Sequence, residues 1–124
     1  MAAYELSRGV TQICPAGMTL AAEQLLKICQ MAAAHRTARK PGAELAGVNL
    51  EGPFLSEVKK GAQNGTWLQK PRLPRLEALI EASGGLVKLV SVVPELEGID
   101  FIREASKRVT VSVAHNHPLI RFVN

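Results

Sequence analysis

Two side chains in this sequence are placed to do chemistry together: the carboxylate of Glu51 and the imidazole of His115. Residues 46–50 form a short apolar run broken by Asn49, and Glu51 and then Gly52-Pro53 follow it. Such a run reads as a buried strand stopped by turn residues, with Glu51 at its last position. Residues 109–114 read as another strand, which runs into His115. Parallel α/β folds gather ligands and catalytic groups at the carboxyl ends of their strands. A carboxylate and a neutral imidazole suit a borderline divalent ion such as zinc or iron(II). A hydrolytic centre of that kind keeps an open position, where bound water ionises near neutral pH and attacks a carbonyl. Each residue also has a plainer reading. Glu51 alone fits a strand-end ion pair with a nearby lysine, and His115 alone fits a hydrogen-bonded strand-end histidine.

The elements that would position the pair can be read in chain order. Residues 1–8 resemble the tail of a helix closed by Gly9, and residues 10–14 have the β-branched character of a strand, stopped by Pro15-Ala16-Gly17. Thr19 is a candidate cap for the next helix, with Glu23 in its first turn. Ala22, Leu25, Leu26, Cys29, Ala32 and Ala33 make its apolar stripe, and His35, Arg36, Arg39 and Lys40 crowd its carboxyl end before Pro41-Gly42. After the Glu51 strand, residues 52–73 have no clear period, as functional loops often do. Residues 74–83 read as a helix with Pro74 in its first turn, residues 86–93 as a strand, and Glu97 opens a last short helix before the strand at 109–114. Strand and helix alternate, which implies parallel strands joined by right-handed crossovers. Near-continuous apolar strands fit either a sheet covered on both faces or a barrel wall.

Leu50-Glu51-Gly52-Pro53-Phe54, followed by Lys59-Lys60-Gly61-Ala62, closely resembles the metal-binding segment of N-acetylglucosamine-6-phosphate deacetylases, members of the amidohydrolase superfamily. The resemblance covers residues 9–115 and includes Val111-Ser112-Val113-Ala114-His115, similar to the family's strand ending in a ligand His, and Pro94-Glu95. The separation of the two residues, 115 − 51 = 64, is also similar to the family's. The resemblance implies an α/β fold of parallel β/α units, forming about half of a TIM-type (β/α)8 metal-dependent hydrolase barrel. It implies Glu51 and His115 as ligands of a divalent metal ion (zinc or iron), and Ala62 and Gln63 as contacts to an amino-sugar phosphate substrate. The reaction implied is deacetylation of N-acetylglucosamine 6-phosphate to glucosamine 6-phosphate and acetate.

Departures from the pattern bear on that expectation. Asn49 and Gln63 stand where the family usually has His, and Gln63 can hydrogen-bond a hydroxyl but cannot carry a proton. A related specificity, such as N-acetylgalactosamine-6-phosphate deacetylation, is the alternative. His115 and His117 form a His-x-His resembling the superfamily's first-strand motif, but its place after the fourth strand makes it read as an accidental match. Residues 116–124 follow neither the small polar run nor the helix of the family, so they read as an atypical tail to a single partial domain. A full barrel needs about 250 residues. The family's remaining ligand His, its phosphate-binding Arg and His, and its catalytic Asp have no counterpart in these 124 residues. No catalytic residue is therefore expected within the chain, and a non-catalytic truncated product is the rival from another class.

Composition bounds the rest. A hydrophobic fraction of 47% and 21% charged residues are ordinary for a globular domain. No apolar run reaches the roughly 18 residues of a membrane span, and residues 1–10 do not resemble a secretory signal, so a cytoplasmic location without membrane association is expected. The net charge of +4 is spread along the chain without interleaved aromatics, which argues against nucleic acid. Cys14 and Cys29 are read as buried, reduced thiols. The unpaired outer strands of a half barrel predict a homo-oligomer.

Overall fold

The computed structural model describes residues 1–95 and 98–115. Its main sheet has four strands in the order β2 (Ala16–Gly17), β4 (Val48–Phe54), β5 (Val87–Val92) and β6 (Thr110–Val113), and each neighbouring pair is parallel. Beside it, β1 (Gln12–Ile13) pairs with β3 (Glu44–Leu45), also parallel. The strand order follows the chain order. The crossovers carry α2 (Ala22–Ala38), α3 (Leu73–Ala82) and α4 (Gly98–Ala105), which pack on one face of the sheet. One core joins them: Leu25 and Cys29 of α2, Leu76 and Leu79 of α3, and Phe101 and Ala105 of α4 pack with Val48, Leu50 and Val90 of the strands. Because strand side chains alternate, Asn49 and Glu51 face away from that core. Among the described residues, no helix is long and apolar enough to cross a membrane.

Three boundaries differ from the sequence expectation, each for a local reason. Pro15-Ala16-Gly17 does not stop the first strand. The Pro15 carbonyl accepts from Asn49 N–H at 2.9 Å, and Ala16–Gly17 then pairs with Asn49 and Leu50. The register offset rises from 44 − 12 = 32 to 49 − 16 = 33, so the partner strand carries one extra residue. Gly52-Pro53 likewise does not end β4. Between paired positions, β4 advances from Leu50 to Phe54 while β5 advances from Val90 to Val92, so β4 holds two extra residues. Proline cannot donate to a ladder and is tolerated where pairing is broken. Glu51 thus opens a bulge within the strand instead of ending it, and Phe54 returns to the core, edge-on to Phe101 with ring centroids 5.2 Å apart.

Thr19 does not cap α2, because the helix begins two residues later than a Thr19 cap requires, with Ala21 at its N-cap. The Gln24 side-chain oxygen accepts from Ala21 N–H at 3.3 Å instead. Of the expected stripe, Leu25 and Cys29 are buried while Ala22 and Leu26 are exposed. Cys14, expected to be buried, is exposed, because it lies at the break between β1 and β2, outside the core that holds Cys29. Burial pushes the Cys29 thiol pKa up. The helix tail α1 (Ala2–Ser7) closed by Gly9, the start of α3 beside Pro74, and the strand preceding His115 agree with the sequence reading. Glu97, His117 and the tail at residues 116–124 lie outside the described residues.

Candidate functional site

Glu51, in the bulge of β4, and His115, just beyond the carboxyl end of β6, come together with His115 Nε2 3.6 Å from Glu51 Oε1. β5 lies between their strands, so the bulge at Glu51 and the turn at His115 must close the distance that a regular ladder would leave. His115 has φ +55°, in the left-handed region that costs most residues about 1–2 kcal/mol. Such backbone states concentrate where surrounding structure imposes them. Its imidazole is fixed from the other side by the Lys59 carbonyl, 2.8 Å from Nδ1. A carbonyl oxygen only accepts, so Nδ1 carries the proton of that hydrogen bond, and in the neutral ring the lone pair is on Nε2. That lone pair is on the nitrogen closer to the Glu51 carboxylate.

The separation of 3.6 Å exceeds a hydrogen bond. Two donor atoms about 2.1 Å from one ion and roughly tetrahedrally disposed lie about 3.4–3.6 Å apart, so this pair fits two ligands of one divalent ion. Both side chains are partly open, 43% exposed for Glu51 and 27% for His115, which leaves access for a substrate and water. Among the described residues, no three His, Cys, Asp or Glu side chains cluster tightly enough to hold a metal.

The two residues expected to meet substrate behave differently from one another. Ala62 is exposed. Gln63 is buried, and its side-chain oxygen accepts from the Thr19 backbone N–H at 2.7 Å. The Lys60 ammonium donates to the Gln63 carbonyl at 3.1 Å, and Gln63 N–H donates to the Lys60 carbonyl at 3.2 Å. Thr19, Lys59 and Lys60 therefore belong to the candidate site, although in the sequence Thr19 has only a capping role and Lys59-Lys60 only a place in the motif. Lys59 acts through its backbone carbonyl, which no residue type advertises. Thr19 acts through its backbone N–H, which residue type does not advertise either, and its contact with Gly52 exists only in the fold. Gly52 has φ +135°, and a Cβ there would collide with the backbone of Thr19. The oxygens Thr19 Oγ1 and Asn49 Oδ1 are buried without a hydrogen-bond partner.

Parallel β/α units wound in chain order, with a carboxylate in a strand bulge meeting an imidazole past a strand end, and the match to solved barrels given below, define the class of protein: this is part of a TIM-type barrel. No family model matches the chain. It is 35% identical over 115 residues to N-acetylglucosamine-6-phosphate deacetylase of Danio rerio, covering 90% of this chain and 28% of that protein. It is 41% identical over 54 residues to the enzyme of the same name from Bacillus subtilis, covering 44% of this chain and 14% of that protein. The crystal structure of N-acetylglucosamine-6-phosphate deacetylase from Thermotoga maritima superposes with a TM-score of 0.80 at 26% identity, covering 94% of this chain and 31% of that one. The chain is a partial homologue of the N-acetylglucosamine-6-phosphate deacetylases, which are hydrolases, and spans less than a third of the length of these relatives.

Proposed function

We propose that this chain contributes two ligands, Glu51 and His115, to a divalent metal site serving the deacetylation of N-acetylglucosamine 6-phosphate to glucosamine 6-phosphate and acetate. The observation that carries this reading is the 3.6 Å approach of His115 Nε2, past the end of β6, to Glu51 Oε1 in the β4 bulge, 115 − 51 = 64 residues apart. Zinc or iron(II), when bound, would lower the pKa of a coordinated water and polarise the acetamide carbonyl. Glu51 supplies a carboxylate oxygen and His115 its Nε2 lone pair, while the Lys59 carbonyl holds the Nδ1 proton in place. Ala62 and Gln63 lie on the loop that follows, where they would meet the amino-sugar phosphate. With its oxygen bound to Thr19 N–H, Gln63 would offer its NH2 group to a substrate oxygen.

Two ligands hold zinc more weakly than the three of ordinary catalytic sites. Zinc titrated into the 124-residue chain should bind with one-to-one stoichiometry, at least about tenfold more weakly in Glu51→Gln than in the wild type. Equal affinities in the two would remove Glu51 from the site. The 124-residue chain assayed alone should release acetate at least about 10²-fold more slowly than a full-length relative, since no catalytic carboxylate is assigned within it. Robust, chelator-sensitive release that Glu51→Gln abolishes would overturn that part of the reading. Gln63 in place of the family's usual His makes the sugar a further question. Turnover of the N-acetylglucosamine and N-acetylgalactosamine 6-phosphates by a full-length homologue carrying Gln63 answers it.

Self-association belongs to the same proposal. β6 lies at the edge of the described sheet, and its Val113 is 50% exposed. Unpaired edges with apolar side chains favour pairing with another copy. Sedimentation should show a dimer or larger species, shifted toward monomer by Val113→Lys; a monomer at high concentration would exclude it.

A further inference from the structure

We infer that Gln63 is a positioning residue, which holds the turn at residues 59–63 against Thr19 and thereby keeps the Lys59 carbonyl on the His115 ring with Nε2 beside Glu51. The inference deepens the metal-ligand reading and assigns Gln63 a second task besides any contact with substrate. Gln63 is 7% exposed and Thr19 2%, so the 2.7 Å bond between them is made away from solvent, between residues 44 positions apart. Breaking such a bond leaves a buried polar group unpaired, which is costly. The turn is stiffened internally by the two Lys60–Gln63 bonds, at 3.1 and 3.2 Å. Gly61 bends it with φ +60° and brings it alongside the imidazole: a Cβ at Gly61 would stand 3.7 Å from His115 Cε1.

These contacts form a closed circuit. Thr19 holds Gln63; the turn presents Lys59; Lys59 orients His115; His115 stands beside Glu51; and Gly52, next in the chain, packs back onto Thr19. The ends of β2 and β6 and the bulge of β4 are thereby linked through one short turn. Releasing Gln63 frees the turn, so the effect on His115 must pass through the Lys59 carbonyl and not through direct contact. An outer hydrogen bond to a ligating histidine typically changes metal affinity about 10- to 100-fold.

The test compares wild type with Gln63→Leu, which removes the acceptor, and Gln63→Glu, which keeps an oxygen for Thr19 N–H. In 15N-labelled protein at pH 8, without metal, the His115 nitrogen shifts should report the Nδ1–H tautomer in the wild type. Resonances are assigned by their loss in His115→Ala. In Gln63→Leu the shifts should move toward a tautomer mixture, and in Gln63→Glu they should return. Zinc affinity should fall about tenfold or more in Gln63→Leu and recover in Gln63→Glu. A general structural role would lower the melting temperature without moving the His115 shifts. A folded Gln63→Leu with wild-type His115 shifts would overturn the inference. Should that variant not fold, Gln63→Asn, which draws the acceptor back by one methylene, makes the same comparison. If wild type binds no zinc through Glu51 and His115, the ligand reading fails, while the nitrogen shifts still decide the role of Gln63.

Discussion

The two ends of the sheet each carry a non-glycine residue in the left-handed region, and they use it differently. At the amino ends of the strands, Arg39 has φ +45° and closes α2. It is exposed, as are Arg36 and Lys40, and together with His35 and residues 42–45 these side chains line an open cavity of about 670 Å³. Cations there complement the partial negative charge at the carboxyl end of α2. At the carboxyl ends, His115 has φ +55°, and its ring is fixed to the Lys59 carbonyl beside Glu51. This cavity lies at the end with solvated charges. The proposed metal ligands lie where polar atoms are held by several segments at once. Constraint locates the site here better than empty volume does.

Breaking the constrained end should have the largest effect. Gly52→Ala would press a methyl group into Thr19 at positive φ and should cost about 3 kcal/mol or prevent folding. Gly84→Ala, at φ +61° but with an ordinary 3.8 Å contact to Ala33, should cost only about 1–2 kcal/mol. Urea unfolding of both variants checks the contrast, and similar losses would mean that the bulge has no special packing. Zinc binding sharpens the comparison next. His115→Ala should weaken it about tenfold or more, while His35→Ala, in the open cavity, should leave it within about twofold. The reverse order would move the metal site to the other end.

The two thiols differ in the same sense. Cys14 should react rapidly with a thiol reagent in the native state, and Cys29 only as the protein unfolds. Burial raises the folded pKa of Cys29 above its ordinary value of 9.0. Its contribution to stability is therefore fully present below pH 9.0 and lost as pH rises toward the folded pKa. Cys29→Ala should flatten that alkaline decline, as read by unfolding between pH 8 and 10. The smallest effect is expected at the open end. Arg39→Gly relieves a left-handed arginine at a helix terminus and should stabilise the chain by about 1 kcal/mol. A loss would show that Arg39 is held by more than the cap geometry.

Much of the fold could be read from residues near one another in sequence. Apolar runs, Pro74 at a helix start and Gly9 at a helix end mark most elements within a residue or two, and their alternation predicts parallel strands. The errors came at glycine and proline. Pro15-Ala16-Gly17 and Gly52-Pro53 look like stops, yet both are carried through the sheet by hydrogen bonds and register shifts supplied by neighbouring strands. Thr19 reads as a helix cap because its type favours one, but its N–H is taken by a residue 44 positions away. A local rule cannot register a distant acceptor.

The sequence by itself determined the parallel α/β architecture, the family resemblance, and the identity of Glu51 and His115 as the carboxylate and imidazole that could share an ion. Those properties rest on side-chain type, periodicity and spacing, which the chain carries whether folded or not. Only the tertiary structure decided that Glu51 opens a bulge, that Lys59 contributes a carbonyl, and that Gln63 turns its oxygen to Thr19. Backbone groups are the same at every position, so which of them orients a side chain is set by where folding brings the segments together. Here two strand ends and a bulge meet at one turn, and their meeting places His115 Nε2 3.6 Å from Glu51.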